Sequence, residues 1–145
     1  NQVLYFAYGS NMWLQQMQKR CPGYVKLGIA TLQKHRWFIS KRGYANVIRS
    51  KKNEVQGVLY KVSLDNIAAL DVYEGVSIGC YTREVLPVVF QDRVVNAVVY
   101  VDPTVAEGLP SKEYAIRIAK GVVDADLDAN YIKKCIKKYI PALKK

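Results

Sequence analysis

Glu74 is a carboxylate whose position in this sequence could serve acid/base chemistry. It closes the stretch Leu70-Asp71-Val72-Tyr73-Glu74-Gly75, four residues after Leu70 and seven after Ile67. A helix continued this far turns its side chain along the apolar face and inward. A carboxylate driven toward a core has its ionised form destabilised by desolvation, and its pKa rises toward that of a general base at neutral pH. At a frayed helix end the same residue is simply exposed, and spacing alone does not separate the two. A second set of polar groups lies in Tyr8-Gly9-Ser10-Asn11. Glycine lets the backbone turn sharply and approach a ligand, and free N–H groups near a helix start favour negative charge. That arrangement suits a carboxylate or an oxyanion, and equally an ordinary strand-to-helix turn with Asn11 as its cap. Tyr81 and Tyr114 carry hydroxyls that could reach a shared pocket, although in a chain with 11 tyrosines packing accounts for such residues as well.

These groups have to be held by particular elements. Val3-Leu4-Tyr5-Phe6-Ala7-Tyr8 is short, apolar and aromatic-rich, as in a buried strand. Asn11 is placed as an N-cap, with Trp13, Leu14, Met17 and Cys21 at helical spacing until Pro22-Gly23. Strand character follows at Tyr24 to Leu32, Arg36 to Ser40, Ala45 to Arg49 and Val55 to Val62. Ser63 caps a helix with Leu64, Ile67 and Leu70 on its apolar face, ending near Gly75. Tyr81 to Phe90 and Val94 to Val101 form a hairpin through Gln91-Asp92-Arg93, and Pro87 places the first of them at an edge or on a bulge. Ser111 caps a further helix whose inner face is Tyr114, Ala115, Ile118 and Val122. Strands in succession followed by helices read as α+β, with a curved or partly closed sheet.

At 145 residues, with no repeat, linker or composition break, residues 1–145 read as a single domain. The longest apolar stretch, Val94 to Val101, is interrupted by Asn96 and falls far short of the ~20 residues that span a bilayer. No signal-peptide pattern opens the sequence. Cys21, Cys80 and Cys135 are widely spaced, without a C-x-x-C pair, and signal neither a disulfide framework nor a zinc site. The cytoplasm is the expected compartment. The formal charge of +10 attracts anions of every kind. Much of it lies at Lys133, Lys134, Lys137, Lys138, Lys144 and Lys145, between Tyr131, Ile132, Cys135, Ile136 and Tyr139. That is the polar side of an amphipathic helix, and it predicts a solvated face with no specific nucleic-acid reader.

Three segments resemble the gamma-glutamyl cyclotransferase family (the AIG2-like fold). The run YFAYGSNM, residues 5–12, is similar to the family's opening signature. Leu70-Asp71-x-x-Glu74-Gly75-Val76-x-x-Gly79-x-Tyr81 resembles its catalytic-glutamate segment, and Pro110-Ser111-x-x-Tyr114 stands where relatives carry a site tyrosine. Val55-x-Gly57-Val58-Leu59-Tyr60 is similar to the strand that precedes the glutamate helix.

The resemblance implies a small mixed β-barrel-like sheet flanked by helices, with the pocket at one mouth. It implies a gamma-glutamyl substrate whose own α-amine closes a five-membered ring on the γ-carbonyl, releasing 5-oxoproline and an amine or amino acid without a metal or cofactor. In that reading Glu74 is the general acid/base. Backbone N–H groups from Gly9 to Asn11, in the turn Tyr8 to Asn11, hold the glutamyl group or the oxyanion. Tyr81 and Tyr114 orient Glu74 or the substrate, and Ser10 belongs to the turn without acting as a nucleophile. The donor could be a gamma-glutamylamine, glutathione or a biosynthetic intermediate, and the chain could pair as a homodimer. From another class, the rival is a non-enzymatic basic binding module of the same fold, using the lysine-rich segment; the retained Glu74, Tyr81 and YGSN turn argue against it.

Overall fold

The computed structural model describes residues 2–141 and 143. Its centre is a closed five-stranded barrel. Strand β1 (Gln2–Ala7) runs between β3 (Ala45–Ser63), to which it is antiparallel, and β5 (Arg93–Val101), to which it is parallel at Tyr5↔Val98. A strand paired on both sides, with Tyr5, Phe6 and Ala7 buried, explains why the opening run is apolar without polar alternation. The remaining strands are β2 (Val25–Ile39) and β4 (Thr82–Phe90), and the order around the barrel is β1-β3-β2-β4-β5.

The four strand pieces expected between Tyr24 and Val62 are two long strands. β2 and β3 form one antiparallel hairpin from Val25↔Lys61 to Ile39↔Ala45. The breaks expected at 33–35 and 50–54 face each other at one irregularity within it, where the register passes from Gln33↔Glu54 to His35↔Arg49 with Lys34 at φ 60°, and a further shift lies between Lys26 and Gly28. Such bulges bend and twist a strand, which lets a long hairpin wrap around a barrel. β4 and β5 form the expected hairpin, turned by Gln91 and Asp92, both at positive φ, as two-residue turns of the primed type require. Pro87 is not at a bulge, and on its β2 side no ladder pair is formed among the described residues. It pairs in register with Asn96, and β4 meets β2 at Thr31↔Val89, beyond the proline.

Four helices pack around this sheet. Helix α1 (Leu14–Arg20) follows a 3-10 turn at Ser10–Met12, and its N-cap is Trp13. Asn11 is therefore not a helix cap. α2 (Leu64–Tyr73) begins with a complete capping box between Ser63 and Asn66, and α3 (Lys112–Ala125) is capped by Ser111, with Ile118 and Val122 buried. At the C-terminus the expected amphipathic helix is a short α4 (Ala129–Tyr131) continued by a π-helical turn, Ile132–Ile136. The predicted faces hold: Tyr131, Ile132, Ile136 and Tyr139 are buried, and Lys133, Lys134 and Lys138 are exposed. Lys144 and Lys145 lie outside the described residues. Among the described residues no helix is long and apolar enough to cross a membrane.

Candidate active site

The first wall of the site grows from the end of β1. The chain leaves the barrel at Tyr8, whose carbonyl accepts a hydrogen bond from Trp37 Nε1 at 2.9 Å, and the Asn11 carbonyl accepts one from the Tyr60 hydroxyl at 2.9 Å. Between these anchors the 3-10 turn closes through Met12 N–H to Gly9 O and Trp13 N–H to Ser10 O. Those bonds do not consume the N–H groups of Gly9 and Asn11. Gly9 is closely hemmed in: a Cβ there would stand 3.1 Å from Ala45 Cβ and 3.2 Å from the Tyr114 hydroxyl, so a side chain would press on both. Asn11 is buried and braces the turn from behind. Its amide donates to the Tyr5 hydroxyl at 2.9 Å, and its Oδ1 accepts from Gln16 at 2.8 Å and Arg20 at 3.1 Å.

The second wall is the C-terminal end of α2. Ile67 and Leu70 are buried, and Glu74, on the same face, lines the cavity they lead to. The Glu74 N–H closes on Leu70 O at 2.8 Å, and Gly75 follows in the left-handed region at φ 62°, a conformation glycine adopts without strain. The chain then returns through a 3-10 turn at Val76–Ile78 to Tyr81. Asp71, one turn earlier, is committed elsewhere: it pairs with Arg83 at 2.8 Å and accepts from the Tyr100 hydroxyl at 2.7 Å. Glu74 takes part in none of the ion pairs among the described residues.

Between these walls lies a cavity of about 430 Å³ that brings together Tyr8, Gly9, Ser10, Asn11, Glu74, Tyr81 and Tyr114. Desolvation pushes the Glu74 carboxyl up to about 7, and the positive charges of Arg20 and then Arg42 act against that rise. Its protonation state is therefore balanced near neutral pH, as a group that both takes and returns a proton needs. The tyrosines differ in what their hydroxyls are doing. That of Tyr8 donates to Tyr100 O, and that of Tyr81 donates to Ala45 O at 2.8 Å. The Tyr114 hydroxyl accepts from Ala45 N–H at 3.1 Å and lies beside Ser10. Burial holds all three above the ordinary tyrosine value, Tyr114 at about 12, so each remains a protonated donor at neutral pH. Tyr81 and Tyr114 thus grip the two sides of one residue, Ala45, behind Gly9.

Sequence reasoning missed the cationic lining. Arg20, Arg42 and Arg117 face the same cavity from α1, from the 40–44 turn and from α3. Arg42 is fixed by Asp102, whose side chain is 1% exposed, at 3.0 Å, and by the Cys80 carbonyl at 2.9 Å. Nothing local points Arg42 or Arg117 to the cavity, because Asp102, which holds Arg42, is 60 positions away and Gln16, which Arg117 meets, is 101 positions away. Among the described residues no set of three or more His, Cys, Asp or Glu side chains could hold a metal ion.

Comparison with known proteins places the chain in a family. Residues 5–120 match the family model described as "Gamma-glutamyl cyclotransferase, AIG2-like". The chain is 30% identical to a gamma-glutamylcyclotransferase of Bos taurus and 29% identical to one of Mus musculus, covering in each case 90% of this chain and 76% of the relative. It superposes on a solved gamma-glutamyl cyclotransferase with a TM-score of 0.87 at 26% identity, over 99% of this chain and 89% of the other. The chain belongs to the gamma-glutamyl cyclotransferase, AIG2-like family and is an enzyme of that kind.

Proposed function

We propose that residues 1–145, acting as one domain, catalyse ring closure of a γ-glutamyl compound, with Glu74 as the general acid/base. The observation that carries this reading is the pairing of a desolvated, unpaired Glu74 carboxyl with the Gly9–Asn11 turn in a single cavity. The substrate brings its own nucleophile. Its α-amine attacks the γ-carbonyl carbon as Glu74 takes the amine proton, and the carbonyl electrons move onto oxygen. When the tetrahedral intermediate collapses, the bond to the leaving nitrogen breaks, Glu74 returns the proton to that nitrogen, and 5-oxoproline and a free amine depart. Proton transfer by a positioned carboxylate contributes roughly 10²- to 10⁴-fold. Holding the amine over the carbonyl contributes through lost freedom already surrendered on binding. The N–H groups of the turn offer fixed dipoles for the glutamyl group or the oxyanion. Tyr114 is placed to hold the turn and the substrate, whereas Tyr81 acts through Ala45.

The test is incubation of the purified protein with a panel of γ-glutamyl amino acids, γ-glutamylamines and glutathione, with 5-oxoproline measured by mass spectrometry. Release from at least one member, dependent on Glu74, is expected. No release from any member would refute the assignment.

A further inference from the structure

We propose that Arg20 anchors the substrate, its guanidinium receiving the α-carboxylate of the γ-glutamyl group and so setting the α-amine against Glu74. The inference rests on the ring-closing reaction proposed above and concerns a residue that neither the sequence motifs nor that reaction assigns.

The three guanidiniums at the cavity are not equivalent. Arg117 pairs with Glu113 and donates to Gln16 Oε1 at 3.0 Å. Arg42 donates through Nε and Nη2 to buried Asp102, and Nη2 also serves the Cys80 carbonyl. Arg20 alone forms no ion pair with a carboxylate among the described residues. It is nonetheless held in place. Its Nη1 donates to Asn11 Oδ1 at 3.1 Å, and its guanidinium lies 4.5 Å from the centre of the Tyr73 ring. A guanidinium fixed on one edge and one face still presents N–H groups in the planar fork that matches a carboxylate.

The reaction chemistry says why a cation is needed at this place. The attacking amine and the α-carboxylate of a γ-glutamyl group are attached to the same carbon. A base that reaches the amine therefore brings a second carboxylate beside its own, and two like charges in a desolvated site repel strongly. A guanidinium next to the base relieves that repulsion and fixes which of the three other groups on the α-carbon faces Glu74. Of the charges acting on Glu74, that of Arg20 is the largest. Its bond to Asn11 also ties it to the turn proposed to hold the same glutamyl group.

The experiment compares γ-glutamyl-alanine, or the panel member that gives most product, with two near-isosteric amides. One is amidated at the α-carboxyl of the glutamyl group, the other at the carboxyl of the leaving alanine, and release of the leaving group is followed for each. Wild type is expected to disfavour the α-amide by roughly ten- to a hundredfold in kcat/KM, the range for a hydrogen-bonded charge left without its partner. Arg20→Gln should lose a similar factor on the parent acid and no longer distinguish it from the α-amide, while Arg20→Lys keeps part of the preference. Discrimination at the alanine carboxyl should be the same in wild type and variant. Equal turnover of acid and α-amide by wild type would overturn the proposal without any variant having to fold. So would a folded Arg20→Gln that keeps the preference, or one that loses discrimination at the alanine carboxyl instead. Absence of product from every member of the γ-glutamyl panel would refute the ring-closing reaction and this anchor together, whereas turnover without α-carboxyl preference refutes the anchor alone.

Discussion

Glu74, at the end of α2, and Glu107, in the loop between β5 and α3, both stand near arginine, and their surroundings drive them in opposite directions. Glu74 faces the cavity, where desolvation raises its carboxyl to about 7 in spite of Arg20 and Arg42. Glu107 is exposed and accepts a hydrogen bond from Tyr139, with Arg36 at 3.6 Å and Lys138 at 3.9 Å. The Tyr139 hydroxyl first, and then the two cations, hold it below the usual carboxylate value. The comparison teaches that nearby positive charge does not by itself set an acid's state. Where the carboxylate is largely withdrawn from water and no donor touches it, desolvation wins and leaves a group that can exchange a proton. Where a donor is in contact and water remains, the acid is a permanent anion, and here it fastens the lysine-rich C-terminal segment to β2.

The largest effect expected from breaking this contrast is on turnover. Glu74→Gln keeps size and polarity but cannot accept the amine proton, so kcat should fall by at least about a hundredfold while the far-ultraviolet circular dichroism is unchanged. A variant with near wild-type kcat would return Glu74 to the class of ordinary helix ends.

The same variant should be more stable than wild type at high pH. Folding raises the Glu74 pKa from its unfolded value near 4.5 to about 7, so the folded protein binds the proton more tightly. The resulting penalty is absent below pH ~4.5, grows as pH rises toward 7, and is constant above it, at about 3 kcal/mol. Urea unfolding at pH 8 and pH 4.5 should show Glu74→Gln stabilised at the first and indifferent at the second. Equal effects at both would show that the carboxyl is not desolvated.

Within the pocket, Tyr114→Phe removes a hydroxyl that touches Ala45 N–H and lies beside Ser10, and kcat/KM should fall by roughly tenfold. Tyr81→Phe instead leaves the Ala45 carbonyl without its donor. Its cost should be read in stability, at about 1–3 kcal/mol, with a smaller change in rate. Steady-state kinetics and urea unfolding of the pair decide the matter, and a reversed order would exchange their roles.

The smallest effect belongs to Glu107→Gln. The Glu107 carboxylate is itself solvent-exposed, so the loss should be below about 1 kcal/mol and kcat should not change. A loss of activity there would mean that the C-terminal fastening reaches the pocket.

Local signals carried much of this site. The Ile67-Leu70-Glu74 face, the Ser63 and Ser111 caps and the turn after β1 follow from spacing and side-chain chemistry within a few residues. What escaped was non-local. Barrel closure depends on Tyr5 meeting Val98, and the bulges that join four strand pieces into two need a partner strand to be recognised. Arg42 is separated by 60 positions from Asp102, which holds it. Asn11 has the chemistry of a cap, but tertiary partners, Tyr5, Gln16 and Arg20, claimed its side chain instead.

The central claim, that a desolvated Glu74 carboxylate accepts the substrate's amine proton, is tested most directly by the pH dependence of kcat/KM for wild type on a γ-glutamyl substrate it turns over. The base must be ionised, so activity should fall as pH drops through about 7, approaching tenfold per pH unit on the acid side. A profile that stays flat down to the ordinary carboxylate range near 4.3 would contradict the account.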